Sequence, residues 1–360
     1  MSEINFDPVT LTQSLVKCAS VTPKDEGALT VVENHLSAIG CDCHPLSFSG
    51  NNSYEVKNLF ATIGNEGKHF AYAGHTDVVP VGNENSWKYP PFSAKIDEGK
   101  LYGRGSEDMK SSVACFISAA KRFVDKYKNI PGKISFIITG DEERDSVNGT
   151  PRILEWASKQ NYKFDHCLVG EPTSKNEVGD KVKIGRRGSV SFFFQVKGIQ
   201  GHTANSHLAE NSSHHLVNLL NSILEEPLDE GNENFLPTSV QIATIDIGNP
   251  VQNVIPELAK ATVNIRFNDM HSSDSIIKWI DNKIEKIFSK LENASCTYTY
   301  DATAESFLNK AGDLYNIISK SISDVTGRNS PPEQATDGGT SDARYIKNYC
   351  EVVELGLRNQ

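Results

Sequence analysis

Residues Ala71–Pro80 read Ala-Tyr-Ala-Gly-His-Thr-Asp-Val-Val-Pro, an apolar run that closes on two polar side chains and a proline. Such a run reads as a buried strand, and side chains two apart on a strand project to the same side. His75 and Asp77 therefore face one way at its end. An imidazole beside a carboxylate suits a catalytic metal: the neutral ring ligates, and the carboxylate fixes its tautomer. Alone, a His-x-Asp at a strand end is more often an ordinary polar pair. The weight falls on the carboxylates that follow.

The chain around this stretch alternates strands with helices. Asp7-Pro8 opens a helix to about Cys18, a capping residue followed by proline at the first helical position. A second helix runs from about Glu26 to Ile39 and stops at Gly40. Asn58–Ile63 and Phe70–His75 are strand-like, Val81–Pro91 is loop, and Leu101–Gly103 is a short strand. An amphipathic helix is expected from Met109 to Tyr127, a strand at Lys133–Thr139, a helix at Pro151–Gln160 and a strand at His166–Val169. This alternation predicts an α/β domain with a largely parallel central sheet. Past Lys183 the texture changes to strand (Ser189–Val196), helix (Asn211–Leu224), two strands (Ser239–Ile247, Lys260–Phe267), helix (Ser273–Leu291) and strand (Cys296–Tyr300). That order fits a smaller α+β domain with an antiparallel sheet. From Ala302 the α/β texture returns, with a helix at Asp313–Thr326, a glycine-rich turn at Asp337–Thr340 and a strand at Glu351–Leu355. The expected division is 1–183 and 302–360 for the catalytic domain, with 184–301 inserted.

At 360 residues, two domains are expected rather than one. A formal charge of −10 and the lack of any basic run argue against a broad nucleic-acid footprint. No apolar run approaches the roughly 20 residues that span a bilayer. The first residues lack a basic region followed by an apolar one, so no signal peptide is read there. Seven scattered cysteines are expected to be reduced thiols, and the expected setting is the cytoplasm.

Four acidic positions each follow a predicted strand. Asp108 comes after Leu-Tyr-Gly-Arg-Gly, Asp141-Glu142-Glu143 after Ile-Ser-Phe-Ile-Ile-Thr-Gly, and Glu171 after Cys-Leu-Val-Gly. In open α/β sheets, ligands gather outside the carboxyl ends of strands. One histidine with three carboxylates suits a hydrolytic zinc, manganese or cobalt centre, with one metal or with two bridged by a carboxylate. For any single residue the blander alternative is a solvated loop carboxylate or a helix cap. Adjacent Glu142 and Glu143 point to divided labour: one ligates, and the other takes a proton from a water that the metal acidifies.

These motifs carry a resemblance. Gly-His-Thr-Asp-Val-Val-Pro-Val-Gly, Trp87, Pro90-Pro91-Phe92, Leu-Tyr-Gly-Arg-Gly-Ser-Glu-Asp-Met-Lys, Asp141–Glu143 and Gly170–Thr173 resemble the di-zinc family of acetylornithine deacetylases, aminoacylases and glutamate carboxypeptidases. Lys183–Ser189, Gly198–His202, Asn253–Pro256 and Gly338–Arg344 resemble its desuccinylase branch. The resemblance covers essentially the whole chain. It implies a zinc-peptidase-like catalytic domain with an inserted dimerisation (lid) domain, a homodimer, and two divalent metals, Zn2+ or alternatively Co2+. Asp108 would bridge the metals, His75 and Glu171 would complete one site, and Glu143 would belong to the other. Glu142 would be the general base and Asp77 the group that orients His75. The Asp108-Met109 peptide would be cis. Arg186, Ser189, Asn253, Arg266, Gly339 and Thr340 fall where such enzymes hold a small-molecule substrate, and guanidinium groups suit one with several carboxylates. His202 would reach from one subunit to the partner's site and donate to the developing oxyanion.

The implied reaction is hydrolysis of the succinyl amide of N-succinyl-LL-diaminopimelate. Its alternatives are another N-acyl amino acid deacylase, a metallocarboxypeptidase, or a metal-binding relative without turnover. Three departures stand out. Asn205-Ser206 replace a tyrosine and proline, Ser111 replaces a glycine, and the histidine expected after Glu354 for the second metal does not occur before Gln360. The expectation is a truncated version or an incomplete second site.

Overall fold

The computed structural model describes residues 4–50, 52–127, 129–309 and 312–358. The first residues, on which the leader reading rests, and the final Gln360 lie outside that set. The chain divides into two compact units, one running to Ile184 with Asn309–Ala335 and the stretch from Ser341, the other comprising Gly185–Leu308 and Thr336–Thr340.

The first unit is built on an eight-stranded sheet. Its spatial order is Asp42–Gly50, Ser53–Gly64, Lys133–Thr139, His69–His75, His166–Val169, Glu351–Glu354, Lys181–Lys183 and Glu333–Ala335. The four middle strands from Lys133–Thr139 to Glu351–Glu354 are parallel, so their carboxyl ends share one edge. The first two strands are antiparallel to each other, and the second, Ser53–Gly64, is antiparallel to Lys133–Thr139. The sheet is therefore mixed, and its parallel part is where the site lies. Asp42–Gly50 was not legible as a strand: it contains Pro45, and its residues are exposed or half-buried. Both features are tolerated because it is an edge strand.

Helices Pro8–Lys17, Ala28–Ala38 and Ser111–Lys126 bury Leu11, Leu15, Val32, Leu36, Val113 and Ile117 against Tyr72, Phe136 and Ile138 of the sheet. Asp7 caps the first of these helices, its carboxylate accepting the Thr10 N–H at 2.8 Å. The third begins at Ser111 rather than Met109. Asp108 adopts extended angles (φ −115°, ψ 98°), so Ser106–Lys110 forms a wide turn that delivers its side chain instead of a first helical turn. The Asp108-Met109 peptide is cis.

The second unit has a four-stranded antiparallel sheet, in the order Ser239–Asp246, Leu258–Phe267, Gly188–Lys197, Ser295–Ala304. Period-two alternation buries Val190, Phe192, Phe194 and Val196 with Val263, Ile265 and Phe267 against helices Ser212–Leu224 and Ser273–Phe288. The chain returns at Asn309 rather than 302, because Ser295–Ala304 continues the sheet and Phe307–Leu308 pairs with Gly185–Arg186. Thr336–Thr340 also groups with this unit, which a single return point does not capture. All seven cysteines are free thiols. Among the described residues no helix is long and apolar enough to cross a membrane.

Candidate active site

Three neighbouring parallel strands end in the polar residues that the sequence singled out. His69–His75 carries His75 as its last residue, the turn after Lys133–Thr139 carries Asp141, Glu142 and Glu143, and Glu171 follows His166–Val169. Asp108 joins them from the turn before helix Ser111–Lys126. His75 is buried, with Nε2 3.1 Å from Asp108 Oδ1 and 3.8 Å from Glu171 Oε1. Ligand atoms of His75, Asp108 and Glu143 lie within 4.8 Å of one another, and so do those of His75, Glu142 and Glu171. The four carboxylates thus gather around the His75 imidazole. The grouping differs from the expected one in a respect that matters: Glu142, read as the base, stands among the candidate ligands.

Asp77 holds this cluster from behind. The His75 Nδ1 lies 2.9 Å from the Asp77 main-chain oxygen and 3.6 Å from its carboxylate. A carbonyl oxygen only accepts, so Nδ1 bears a proton, and the neutral ring would then present its Nε2 lone pair to the cluster. The Asp77 carboxylate accepts the backbone N–H groups of Glu142 and Glu143, at 3.2 and 3.1 Å, and the Thr22 hydroxyl at 2.7 Å. Two further groups escaped the sequence reading. The buried Asp342 accepts hydroxyl bonds from Ser146 and Thr150, tying the turn after Glu143 to the Gly338–Arg344 motif, and Tyr54 donates to Asp141 at 2.5 Å. Asp342 stood in a quoted motif without a role. For Thr22 the only signal is a hydroxyl before Pro23.

The electrostatics are those of crowded acids. Burial pushes Glu142 well up, and the charge of Glu171 adds to it. Burial likewise raises Glu143 to about 7, against the opposing charge of His75 and with Asp108 and Asp77 adding to it. Burial works against protonation of His75, but the Asp108 bond and the charges of Asp77, Asp108 and Glu142 override it and raise the ring well above its ordinary value. A buried imidazole ringed by carboxylates that raise one another fits a divalent cation, which would relieve the repulsion.

The other sequence-selected residues lie in the second unit. Arg186, buried, donates to the Gly339 carbonyl at 2.8 Å, and Thr340 follows. Ser189 pairs with Arg266 across adjacent strands, and Arg266 donates from Nε to Asn264 at 2.9 Å. Burial and the nearby charge of Arg187 hold the Arg266 guanidinium below its usual range. Arg187 had no separate assignment. Asn253 accepts the Thr203 N–H through its carbonyl at 3.0 Å, next to the His202–Val254 pairing. His202 is exposed, and its Nδ1 accepts the Ala204 N–H at 3.1 Å, so the neutral ring carries its proton on Nε2.

The family model for peptidase family M20/M25/M40 matches residues 71–360. This chain belongs to that family. A solved structure of that family, the YXEP protein of Bacillus subtilis, is described as a dinuclear metal binding peptidase; it is 14% identical with a TM-score of 0.67 over 97% of this chain and 88% of that one. A succinyl-diaminopimelate desuccinylase of Parvibaculum lavamentivorans is 44% identical over 354 residues, which is 98% of this chain and 88% of that protein. One of Ehrlichia canis is 44% identical over 356 residues, 99% of this chain and 91% of that protein. Among solved structures, an M20 family metallo-carboxypeptidase from Sulfolobus solfataricus has the same fold, with a TM-score of 0.75 at 16% identity over 97% of this chain and 91% of that one.

Proposed function

We propose that this chain hydrolyses the succinyl amide of N-succinyl-LL-diaminopimelate, releasing succinate and LL-diaminopimelate for lysine and diaminopimelate biosynthesis. The observation that carries the reading is 44% identity over nearly the whole chain to two enzymes of that name. His75, Asp108, Glu143 and Glu171 would hold two divalent metals, Zn2+ or alternatively Co2+, whose chemistry is to polarise the amide carbonyl and acidify water.

The chain's own groups do the rest. Glu142 takes the proton of the attacking water as the new C–O bond forms and the carbonyl becomes an oxyanion, and it then hands that proton to the departing nitrogen as the amide C–N bond breaks. Burial, with the charge of Glu171, raises its pKa, which strengthens it as an acceptor of the water's proton. Asp77 keeps the His75 proton on Nδ1 and fixes the Glu142 backbone. Arg186, Ser189, Asn253, Arg266, Gly339 and Thr340 hold the carboxylate-bearing substrate, the guanidinium groups by paired hydrogen bonds.

The reading includes a cytoplasmic homodimer. Strand Ser239–Asp246 lies at an edge of its sheet and exposes Ile245, offering backbone and apolar surface to a second copy. In that dimer the His202 Nε2–H donates to the oxyanion at the partner's site.

The test is succinate release by purified protein supplied with Zn2+ or Co2+, using N-succinyl-LL-diaminopimelate beside N-acetylornithine and a dipeptide. Preference for the succinyl substrate is expected. Faster turnover of either competitor favours the deacylase or carboxypeptidase alternative and sinks this one.

A further inference from the structure

The Cys18–Thr22 segment, outside every motif discussed above, touches two of the turns that carry candidate metal ligands, those of His75 and Asp108. Lys110, two residues past Asp108 and fully buried, donates from Nζ to the Cys18 carbonyl at 2.8 Å. The Ser20 hydroxyl donates to the Thr76 carbonyl at 2.6 Å, the Val78 N–H to the Ser20 carbonyl at 3.0 Å, and the Thr22 N–H to the Val78 carbonyl at 3.2 Å. The segment is in effect a short extra strand laid against Thr76–Val78, with a parallel bridge between Val21 and Val78. Its last hydroxyl, on buried Thr22, donates to Asp77 Oδ2 at 2.7 Å.

We propose that Thr22 is a positioning residue for the metal centre, and that Cys18–Thr22 braces the His75 turn against the Asp108 turn. The inference rests on reading His75 and Asp108 as metal ligands. Asp77 is fully buried, and its carboxylate has two backbone donors, from Glu142 and Glu143, besides Thr22. Backbone donors fix where the carboxylate sits but move with the turn that carries them. The Thr22 hydroxyl comes from a segment pinned at Cys18, Ser20 and Val78, so it refers the carboxylate to the body of the unit. Without it the Asp77 carboxylate can rotate and loosen its hold on the Glu142 and Glu143 N–H groups, and the turn whose Asp77 carbonyl aims the His75 ring loses a tie to the body of the unit. Groups that orient a ligating histidine typically change metal affinity by about 10–100-fold when removed.

The experiment measures Zn2+ affinity by competition with a chelator on the whole chain, with melting of the metal-free protein followed in parallel. Thr22→Val keeps the shape and removes the donor, and Thr22→Ser restores it. Thr22→Val is expected to bind Zn2+ about 10–100-fold more weakly, and Thr22→Ser to bind within about threefold of the parent, since removing such an orienting group carries that cost. If the valine variant does not fold, Thr22→Ala is read the same way. His75→Ala is the control. Unchanged Zn2+ affinity in Thr22→Val, when His75→Ala has lost it, overturns the positioning role, and so does equal weakening in the serine and valine variants. Unchanged affinity in His75→Ala overturns the metal reading itself, and this proposal with it.

Discussion

The Asp77 carboxylate accepts the backbone N–H of Glu142 at 3.2 Å while the main-chain oxygen of the same residue lies 2.9 Å from His75 Nδ1. One residue therefore sets both the orientation of a candidate ligand and the place of the candidate base. Movement of Asp77 disturbs the two together, which separates faults in the chemistry of Glu142 from faults in its support.

Glu142→Gln retains the side-chain shape and the backbone bond to Asp77 but cannot accept a proton. Hydrolysis is expected to fall by about 10²–10⁴ with metal content unchanged, the usual contribution of a general base. Glu143→Gln is expected to lower metal content as well. Metal analysis beside succinate release distinguishes them, and identical behaviour in both variants refutes the division of roles.

The metal-free protein should be more stable on the acid side of neutrality. Burial raises Glu143 from 4.5 to about 7, and His75 is raised above 6.5 in spite of its burial. A group raised on folding contributes stability that is present below its unfolded value and lost as pH rises through its folded value. Between about pH 5 and 8 the melting temperature of metal-free protein should therefore fall with rising pH. Metal binding to these residues displaces their protons, so Zn2+ affinity should rise through about pH 7 with measurable proton release. A metal-free melting curve indifferent to pH in this window contradicts the crowded cluster.

Gly170 precedes Glu171, and a Cβ there would collide with the Ser112 hydroxyl and the Tyr72 hydroxyl. Gly170→Ala should destabilise the chain by about 1–3 kcal/mol, as overpacking of a filled core does. Because the backbone must retreat to make room, Glu171 moves too, and Zn2+ affinity should fall. Loss of stability with unaltered affinity would detach Glu171 from the metal.

His202→Ala and Glu142→Gln should each be inactive, yet their mixture should regain part of the activity after subunits exchange. One site in the mixed dimer combines Glu142 of one copy with His202 of the other, and a pre-aimed oxyanion donor is worth roughly 2.7–4 kcal/mol. Verified exchange without any recovered activity removes His202 from the partner's site and leaves it an exposed turn histidine.

The residues gathered in the candidate site were legible because their signals are local. A buried strand announces itself by its apolar run, and the polar residue that ends it must sit at the sheet edge. His75, Glu142, Glu143 and Glu171 could be named from that rule together with motif spacing. The helix that starts at Ser111 rather than Met109 shows where local reading fails. Periodicity extends through Met109, but Asp108 is held extended by its place in the turn.

Sequence alone determined most of the strands and helices, the insertion of an α+β stretch into an α/β one, and the residue types gathered at the strand ends. All of these follow from hydrophobic periodicity and turn residues a few positions apart. Tertiary structure alone decided that Thr22 meets Asp77 across 55 residues and that Asp342 meets Thr150 across 192. It also decided that Glu142 stands among the candidate ligands and that Thr336–Thr340 groups with the second unit. Those pairings depend on strand order and on how turns return to the sheet, and a hydroxyl or carboxylate carries no periodic mark of the distant group it will face. The raised pKa values belong to the same class, because burial and crowding exist only once the strands are side by side.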